Sequence, residues 1–257
     1  MASEDVGVTL DGHVATVEIR RPPNNFLDTE LIASLAAALE ALDEEANCRS
    51  IVLAAAGKHF CAGANLVKRL DAGQPTPVQR RHLYHEAQRL VQTRKPIVAA
   101  VHGSAIGAGL GLALVADFRV SCNESRLAAN FTALGYHPGF GMTATLPRLV
   151  GHQKAQWLFY TGRRLTGQEA FAMGLVDRLV EQDKVRQTAQ EMAGELAQIA
   201  PLALQATRAS LRNELVPAFR AATEREAFQQ QWLRETGDFK EGVLASNERR
   251  PPKFTGT

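Results

Sequence analysis

Two loops of small residues decide the fold of this chain: Lys58-His59-Phe60-Cys61-Ala62-Gly63-Ala64-Asn65-Leu66 and Ala105-Ile106-Gly107-Ala108-Gly109-Leu110-Gly111. The first follows the apolar run Ser50 to Ala55, and the second follows Ile97 to Val101. Both runs are predicted strands, and each loop is expected to open a helix. Such a junction leaves backbone N–H groups unpaired at the positive end of the helix. Two junctions that face one point would form an oxyanion hole for a carbonyl oxygen.

Composition limits the class of protein. The 257 residues suffice for one large α/β domain, alone or with an appendage. The net charge of +2, without a basic stripe, argues against a nucleic-acid partner. No apolar run approaches the roughly 20 residues of a membrane span, and the N-terminus carries acids where a signal peptide has bases. Cys48, Cys61 and Cys122 lack disulfide-like spacing, so we expect a cytoplasmic protein with no membrane association.

The first half of the chain alternates strand and helix signals. Val14 to Ile19 is a predicted strand, and Asp28 can cap the helix that follows. A breaker-rich stretch, Gly73 to Pro77, is predicted to be mobile, and Val78 to Gln92 is predicted to be helical. The resulting order of strand, helix, strand, helix, strand favours a parallel or mixed sheet. The apolar stripe of the capped helix is Leu31, Ile32, Leu35, Leu39 and Leu42.

Helices dominate the second half. An irregular segment, Gly135 to Gly141, comes first, and Thr166-Gly167-Gln168-Glu169 has the pattern of a capping box. Val176 to Val180 is a predicted short strand, and long helices are expected from about Asp183 to Glu235. We find no second hydrophobic core there, so these helices are expected to pack on the first domain or on another subunit.

Residues 6–256 resemble the crotonase (enoyl-CoA hydratase/isomerase) superfamily, and several motifs carry this resemblance in order along the chain. They are Lys58-x-Phe60-x-x-Gly63-Ala64, Gly107-Ala108-Gly109 with Leu112-Ala113-Leu114 and Asp117, Thr161-Gly162-Arg163, Gly174-Leu175-Val176-Asp177, and Asp238-Phe239-Lys240-Glu241-Gly242 with Arg250-Pro251-Pro252-Lys253-Phe254. Each motif is weak alone, and the combination is specific.

The resemblance implies the fold and the ligand. The expected fold is an α/β spiral of repeated β-β-α units over residues 1–200, followed by a C-terminal helical trimerisation region over residues 201–257. Members of this superfamily form trimers that often pair into hexamers, so a homotrimer or homohexamer is expected. Their ligands are acyl-CoA thioesters, and coenzyme A is therefore expected as part of the substrate and not as a permanent cofactor.

The resemblance also implies site residues. The oxyanion donors would be the backbone N–H groups of Ala64 and Ala108. Arg21 and Lys58 are candidates for pairing with the charges of coenzyme A. The other candidate contacts with coenzyme A are Pro23, Asn24, Phe26, Ala62, Asn65, Leu66, Lys253 and Phe254.

Two catalytic glutamates of the superfamily's hydratases have no counterpart in this chain. Gly111 stands at the first position and Phe131 at the second. Hydration needs one group that takes a proton from water and one that gives a proton to C2. Polarising the thioester and stabilising an enolate needs only the two N–H donors, so that capability is expected to remain.

His137 is the best substitute acid or base, because it lies in the irregular segment that borders the acyl pocket in this superfamily. An imidazole titrates near neutrality without special tuning. The alternative is a histidine that hydrogen-bonds a backbone carbonyl in a glycine-rich loop. Tyr136 and Asn130 are further candidates that could orient the substrate or a water.

Three functions stay open from the sequence. The first is an enoyl-CoA hydratase/isomerase-like enzyme, and the second is a hydrolase of thioesters or of carbon–carbon bonds with the same fold. The third is an acyl-CoA binding protein without catalysis. A nucleophilic Cys61 is disfavoured, and His82, His85 and His59 supply too few ligands for a metal site. Ser104 lacks the spacing of a nucleophile elbow.

Overall fold

The computed structural model describes residues 4–66 and 83–257. The strands are β1 (Val6–Asp11), β2 (Val14–Ile19), β3 (Ser50–Ala55), β4 (Ile97–Val101), β5 (Ala105–Ile106), β6 (Phe118–Ser121), β7 (Arg126–Ala128), β8 (Arg164–Thr166) and β9 (Arg178–Leu179). The helices are α1 (Thr29–Glu44), α2 (Leu83–Val91), α3 (Ala108–Val115), α4 (Met142–Val150), α5 (His152–Thr161), α6 (Gly167–Ala172), α7 (Val185–Ala197), α8 (Pro201–Leu211), α9 (Leu215–Leu233) and α10 (Gly237–Glu248). The turns Thr132–Leu134 and Gln182–Lys184 are 3₁₀-helical.

Two sheets form the framework. The six-stranded sheet has the order β1-β2-β3-β4-β6-β9, in which β1 is antiparallel to β2 and the other neighbours are parallel. The three-stranded sheet has the order β5-β7-β8. Because β4 leads directly to β5, the second candidate loop lies where the chain passes from one sheet to the other.

The central strands are buried on both faces, which explains their unbroken apolar sequence. In β3, Ile51 and Leu53 belong to the main core, whereas Val52 and Ala54 belong to a second cluster with α7. The small residues Ala189 and Ala193 let α7 lie close to that face. The α/β layering is therefore set by alternation along each strand.

Local signals placed α1 correctly. The Asp28 side chain accepts a hydrogen bond from the Leu31 N–H at 2.8 Å, and the predicted apolar stripe is buried. The capping box at Thr166 and Glu169 is also present, with both reciprocal bonds formed. The stretch Gly73 to Pro77 and the start of the helix predicted at Val78 lie outside the described residues.

The C-terminal helices pack against the rest of the chain. Helix α9 contacts α2 and α4, and α10 contacts the turn Thr132–Leu134. No helix in the described ranges is long and apolar enough to cross a membrane.

A buried ionic cluster ties α8 to the main sheet. Asp117 accepts hydrogen bonds from Arg208 at 2.9 Å, from Arg212 at 2.8 Å and from the Ile97 N–H at 2.8 Å. Burial works to raise the pKa of Asp117, but the two guanidinium groups outweigh it and hold this pKa below its ordinary value. The carboxylate is thereby kept charged inside the protein.

Candidate active site

The two small-residue loops are joined by backbone hydrogen bonds. The Cys61 N–H donates to the Ser104 carbonyl at 2.9 Å, and the Ile106 N–H donates to the Cys61 carbonyl at 3.0 Å. Cys61 and Ala105 thereby form a short parallel bridge. The loops, although distant in sequence, are thus held side by side.

Glycine is required where the loops touch. A Cβ on Gly63 would lie 2.6 Å from the Ile106 carbonyl oxygen, and Gly63 has a φ of +85°. A Cβ on Gly109 would lie 2.2 Å from the Cys61 carbonyl oxygen. The same position on Gly63 lies 3.7 Å from the Ala108 nitrogen, so the peptide that carries the Ala64 N–H is next to Ala108.

The N–H groups of Ala64 and Ala108 are available for a ligand as far as the described residues show. Neither donates a hydrogen bond to any residue in the ranges 4–66 and 83–257, and both residues are partly exposed. Ala108 is the first residue of α3, and its N-cap, Gly107, has no side chain to cap the helix. The positive end of α3 is therefore open at this point.

The segment before α1 lies against the first loop. The Ala62 N–H donates to the Asn24 carbonyl at 2.9 Å. The buried Asn25 amide donates to the carbonyls of Ala56 and His59 at 2.8 and 2.7 Å. Candidates Asn24 and Ala62 are thus in direct contact.

The remaining candidates around this loop differ in accessibility. Pro23 and Lys58 are exposed, whereas Phe26, Asn65 and Leu66 are half-buried. These positions leave the Lys58 ammonium group accessible to an anionic ligand.

Arg21 is already paired. Its guanidinium donates to Asp5 at 2.7 Å and also to Asp28. Hydrogen bonding to Asp5 and Asp28 outweighs burial and raises the pKa of Arg21. Its charge is therefore balanced by Asp5 and Asp28, whereas Lys58 has no ion-pair partner among the residues that the structure describes.

Lys253 and Phe254 lie on a C-terminal tail that is held against α10. The Lys253 N–H donates to Glu241 at 2.7 Å, and the Thr255 N–H donates to Asp238 at 2.7 Å. Arg250 adds an ion pair with Glu241 at 2.6 Å. The structure therefore places these two candidates beside α10, which contacts the turn Thr132–Leu134.

The space beside Gly111 is filled by an aromatic ring. A Cβ on Gly111 would lie 2.7 Å from the Phe140 Cβ and 2.9 Å from its Cδ1. Phe140 is fully buried and has a φ of +62°. The resemblance predicts a carboxylate at position 111, but in this chain the Phe140 side chain packs against Gly111 and fills that space.

Phe131, at the other expected carboxylate position, is also buried and lies near the start of α3. Its Cζ would be 3.7 Å from a Cβ on Gly107, and the Asn130 Oδ1 would be 3.6 Å from the same point. The immediate surroundings of Gly107 therefore contain an aromatic edge and one amide oxygen.

The His137 imidazole is hydrogen-bonded to a backbone carbonyl in the glycine-rich loop, which is the alternative to a catalytic role. Its Nδ1 is 2.7 Å from the Pro138 carbonyl oxygen. Three residues later, Phe140 packs on Gly111, which lies three residues, roughly 4.5 Å, beyond Ala108 along α3. The segment that carries His137 therefore passes close to the open end of α3.

Sequence reasoning missed the residues on α9 and at its C-cap that hold this segment. Gln230 donates to the carbonyls of His137 and Pro138 at 2.9 and 3.3 Å. One turn earlier, Glu226 accepts from the Gly141 N–H at 2.7 Å. One turn later, Arg234 donates to the Tyr136 hydroxyl at 2.5 Å. The spacing of four residues was the available signal, because it puts all three on one helix face.

Glu226 is a buried carboxylate that contacts the end of this segment. It is fully buried and also accepts hydrogen bonds from the Thr143 N–H and hydroxyl at 3.0 and 2.7 Å. Burial raises the pKa of Glu226 to about 7, although its hydrogen bonds with Thr143 and Gly141 work in the opposite direction. Its contacts place it at the start of α4, where it caps the helix.

Other chemical candidates are poorly placed. Cys61 is fully buried, and burial raises the pKa of its thiol to about 12, which leaves it a weak nucleophile. The described residues contain no group of three or more potential metal ligands, while His82 lies outside them.

Comparison with known proteins agrees with this architecture. A sequence profile of the enoyl-CoA hydratase/isomerase family matches residues 9–257. The crystal structure of an enoyl-CoA hydratase/isomerase from Pseudoalteromonas atlantica has 30% identity and a TM-score of 0.88, covering 98% of this chain and 100% of that one. A protein of Thermus thermophilus, provisionally named an enoyl-CoA hydratase, is 37% identical over 95% of this chain and 98% of its own length.

A third relative is named for a more specific substrate. The (E)-benzylidenesuccinyl-CoA hydratase of Thauera aromatica is 31% identical over 98% of this chain and 99% of its own length. The chain belongs to the enoyl-CoA hydratase/isomerase family of the crotonase superfamily, as its motifs predicted. It is therefore an enzyme of the hydratase/isomerase kind, and its α/β fold class is confirmed.

Proposed function

We propose that this chain binds an acyl-CoA thioester with its carbonyl oxygen between the N–H groups of Ala64 and Ala108. The observation that carries the proposal is the backbone pairing of the two loops through Cys61, which brings these two donors together. Each aligned donor of an oxyanion hole stabilises the transition state by about 3 kcal/mol. The open end of α3 adds a favourable dipole for developing negative charge.

Stabilising this oxygen makes the neighbouring carbon acidic, so the bound thioester can form an enolate. Proton transfer then needs an acid or base, and we assign it to His137. Its segment passes α3 near Ala108, and Gly111 and Phe131 leave their positions without carboxylates. A single imidazole can move one proton between two carbons, whereas hydration also requires activation of a water. The enzyme is therefore an enoyl-CoA hydratase/isomerase-like protein whose chemistry depends on one histidine.

Coenzyme A enters as part of the substrate in this proposal, and no permanent cofactor takes part. Its path runs between the first loop and the segment before α1, where Asn24 and Ala62 are hydrogen-bonded. Lys58 is exposed beside this path and would meet the phosphate groups.

The assembly in this proposal is a homotrimer or homohexamer, with residues 1–200 as the spiral core and 201–257 as the helical region that serves assembly. Large apolar side chains on the surface of this helical region support it, among them Phe228 at 64% and Trp232 at 54% exposure. The three cysteines are buried and unpaired, which suits a cytoplasmic location.

The test is the His137→Ala variant assayed with a panel of enoyl-CoA and acyl-CoA thioesters. We expect kcat to fall by about 10²–10⁴-fold, as for loss of a general acid or base. Acyl-CoA affinity, measured by calorimetric titration, should be retained. The control is His152→Ala, because His152 is exposed at the start of α5.

Two outcomes would overturn the assignment. Unchanged turnover in His137→Ala would remove the histidine from the mechanism. Release of free CoA thiol by the unmodified enzyme, without any change in the acyl double bond, would identify a hydrolase instead.

A further inference from the structure

We propose that Gln230 is a positioning residue that selects the tautomer of the His137 imidazole, an inference that rests on the proposed role of His137. Gln230 lies on α9 and is 2% exposed. Its amide connects to the histidine through the backbone of the segment that carries it.

The orientation of the Gln230 amide is fixed by its partners. Its Nε2 faces two carbonyl oxygens, those of His137 at 2.9 Å and Pro138 at 3.3 Å. The Tyr84 hydroxyl donates to its Oε1 at 2.8 Å. Since carbonyl oxygens only accept, the NH₂ group must point at the backbone and the oxygen at Tyr84.

The Pro138 carbonyl oxygen is hydrogen-bonded to both Gln230 and the His137 ring. It accepts from Gln230 and also lies 2.7 Å from the His137 Nδ1. Because this oxygen cannot donate, Nδ1 must carry the hydrogen, which leaves Nε2 of the neutral ring with a free lone pair. Gln230 holds in place the carbonyl that decides which ring nitrogen acts as the base.

The packing leaves little room for this carbonyl to turn away. A Cβ on Gly139 would lie 1.9 Å from the Tyr84 hydroxyl oxygen and 2.5 Å from the Gln230 Nε2. The backbone therefore lies directly on the paired Tyr84 and Gln230 side chains. Glu226 fixes the same segment at Gly141, so displacement of the whole segment is opposed at its far end.

The decisive experiment is ¹⁵N NMR of the histidine rings, which reports the tautomer without requiring any activity. The variant is Gln230→Met, which keeps the length of the side chain and removes its hydrogen bonds. The matched control is Gln231→Met, since Gln231 is the next residue on α9 and is exposed. The His137 signals among the seven histidines are assigned from the spectrum of His137→Gln.

At a pH well above the ordinary histidine pKa of about 6.5, the unmodified protein and Gln231→Met should show the Nδ1–H tautomer. In Gln230→Met the two ring nitrogens should move towards averaged shifts, as expected for a mixture of tautomers. An unchanged Nδ1–H signature in Gln230→Met would overturn the proposal.

Two further measurements separate this inference from the proposed function. If His137 is the base, Gln230→Met should lower kcat about tenfold with little change in KM, which is part of the 10²–10⁴-fold effect of a general base. If His137→Ala leaves turnover unchanged, the catalytic role fails, but the tautomer experiment still decides the role of Gln230. If Gln230→Met does not fold, Tyr84→Phe replaces it, because this variant removes only the hydroxyl that orients the amide. Tyr84→Phe should give the same spectral change. An unchanged His137 spectrum in Tyr84→Phe would count against the proposal.

Discussion

At residue 108 the proposed chemistry depends on a backbone hydrogen and not on a side chain. An alanine serves there because its N–H can point outwards at the start of α3 while its methyl group takes little space. A substitution can therefore remove the functional atom without removing a functional side chain. Proline is suited to this purpose because the first position of a helix tolerates it.

Ala108→Pro should lower kcat by about 10²–10³-fold, the usual effect of losing one oxyanion donor. The free energy of unfolding should change little, and steady-state kinetics with urea unfolding would measure both quantities. His152→Pro is the control, since His152 also follows a glycine with positive φ at the start of a helix. Full activity in Ala108→Pro would show that this N–H does not contact the reacting oxygen.

At the scale of elements, one polar face of α9 holds the segment from Tyr136 to Thr143. Glu226 binds two N–H groups there, and its pKa is raised by burial to about 7. Between about pH 4.5 and 7 the folded protein therefore binds more protons at this group than the unfolded chain does. The contribution of Glu226 to stability is fully present below about pH 4.5 and is lost as the pH rises through about 7.

Glu226→Gln should flatten this pH dependence. From pH 4.5 to 7 the free energy of unfolding of the unmodified protein should fall, relative to the variant, by at most about 3 kcal/mol. Urea unfolding at a series of pH values measures the difference, and groups common to both proteins cancel. Burial raises the pKa of the neighbouring Tyr84, so that hydroxyl does not titrate in this window. Parallel stability curves would contradict the raised pKa.

The sequence predicts elements well where their signals are local. Asp28 and the stripe beginning at Leu31 identify α1, and Thr166 with Glu169 identify the start of α6. The ends of some strands differ from the predicted ends by one or two residues. For example, β9 is shorter than the predicted strand from Val176 to Val180. These ends depend on partner strands and not on the strand's own residues.

The support of the site could not be predicted in the same way. Tyr84 and Gln230 are 146 residues apart in sequence, and their bond exists because α2 and α9 pack together. Likewise, the resemblance predicts that Gly111 stands in place of a carboxylate, and nothing in the local sequence indicates that Phe140 fills the space beside it. The positions of the loops followed from the sequence, whereas the contacts that hold the backbone of His137 and Pro138 are products of tertiary packing.

At the scale of the whole molecule, the Asp117 cluster connects the C-terminal helices to the main sheet. Arg208, near the end of α8, and Arg212, the residue after that helix, both bind the Asp117 carboxylate beside β4. Because the pKa of Asp117 is lowered, its contribution to stability is present above its ordinary value and is lost as the pH falls through the folded value. The attachment of α8 is therefore sensitive to acid.

Asp117→Ala should destabilise the fold by about 3–5 kcal/mol, because it leaves Arg208 and Arg212 buried without their counter-charge. Glu44→Ala, which breaks the exposed pair with Arg94, should cost less than about 1 kcal/mol. Urea unfolding at neutral pH compares the two variants. Equal losses of unfolding free energy in the two variants would show that the cluster does not anchor α8. If Asp117→Ala does not accumulate, Asp117→Asn replaces it in the comparison.

The ring of Phe140 against Gly111 also constrains how this enzyme can change. A glutamate introduced at position 111 would meet the ring at once, and removing the ring first would leave a hole in the core. Each single step therefore carries a penalty that the double change avoids. In directed evolution, a route from this chain to two-carboxylate hydration chemistry must change positions 111 and 140 together and must also replace Phe131, and libraries that vary one site at a time will not find it.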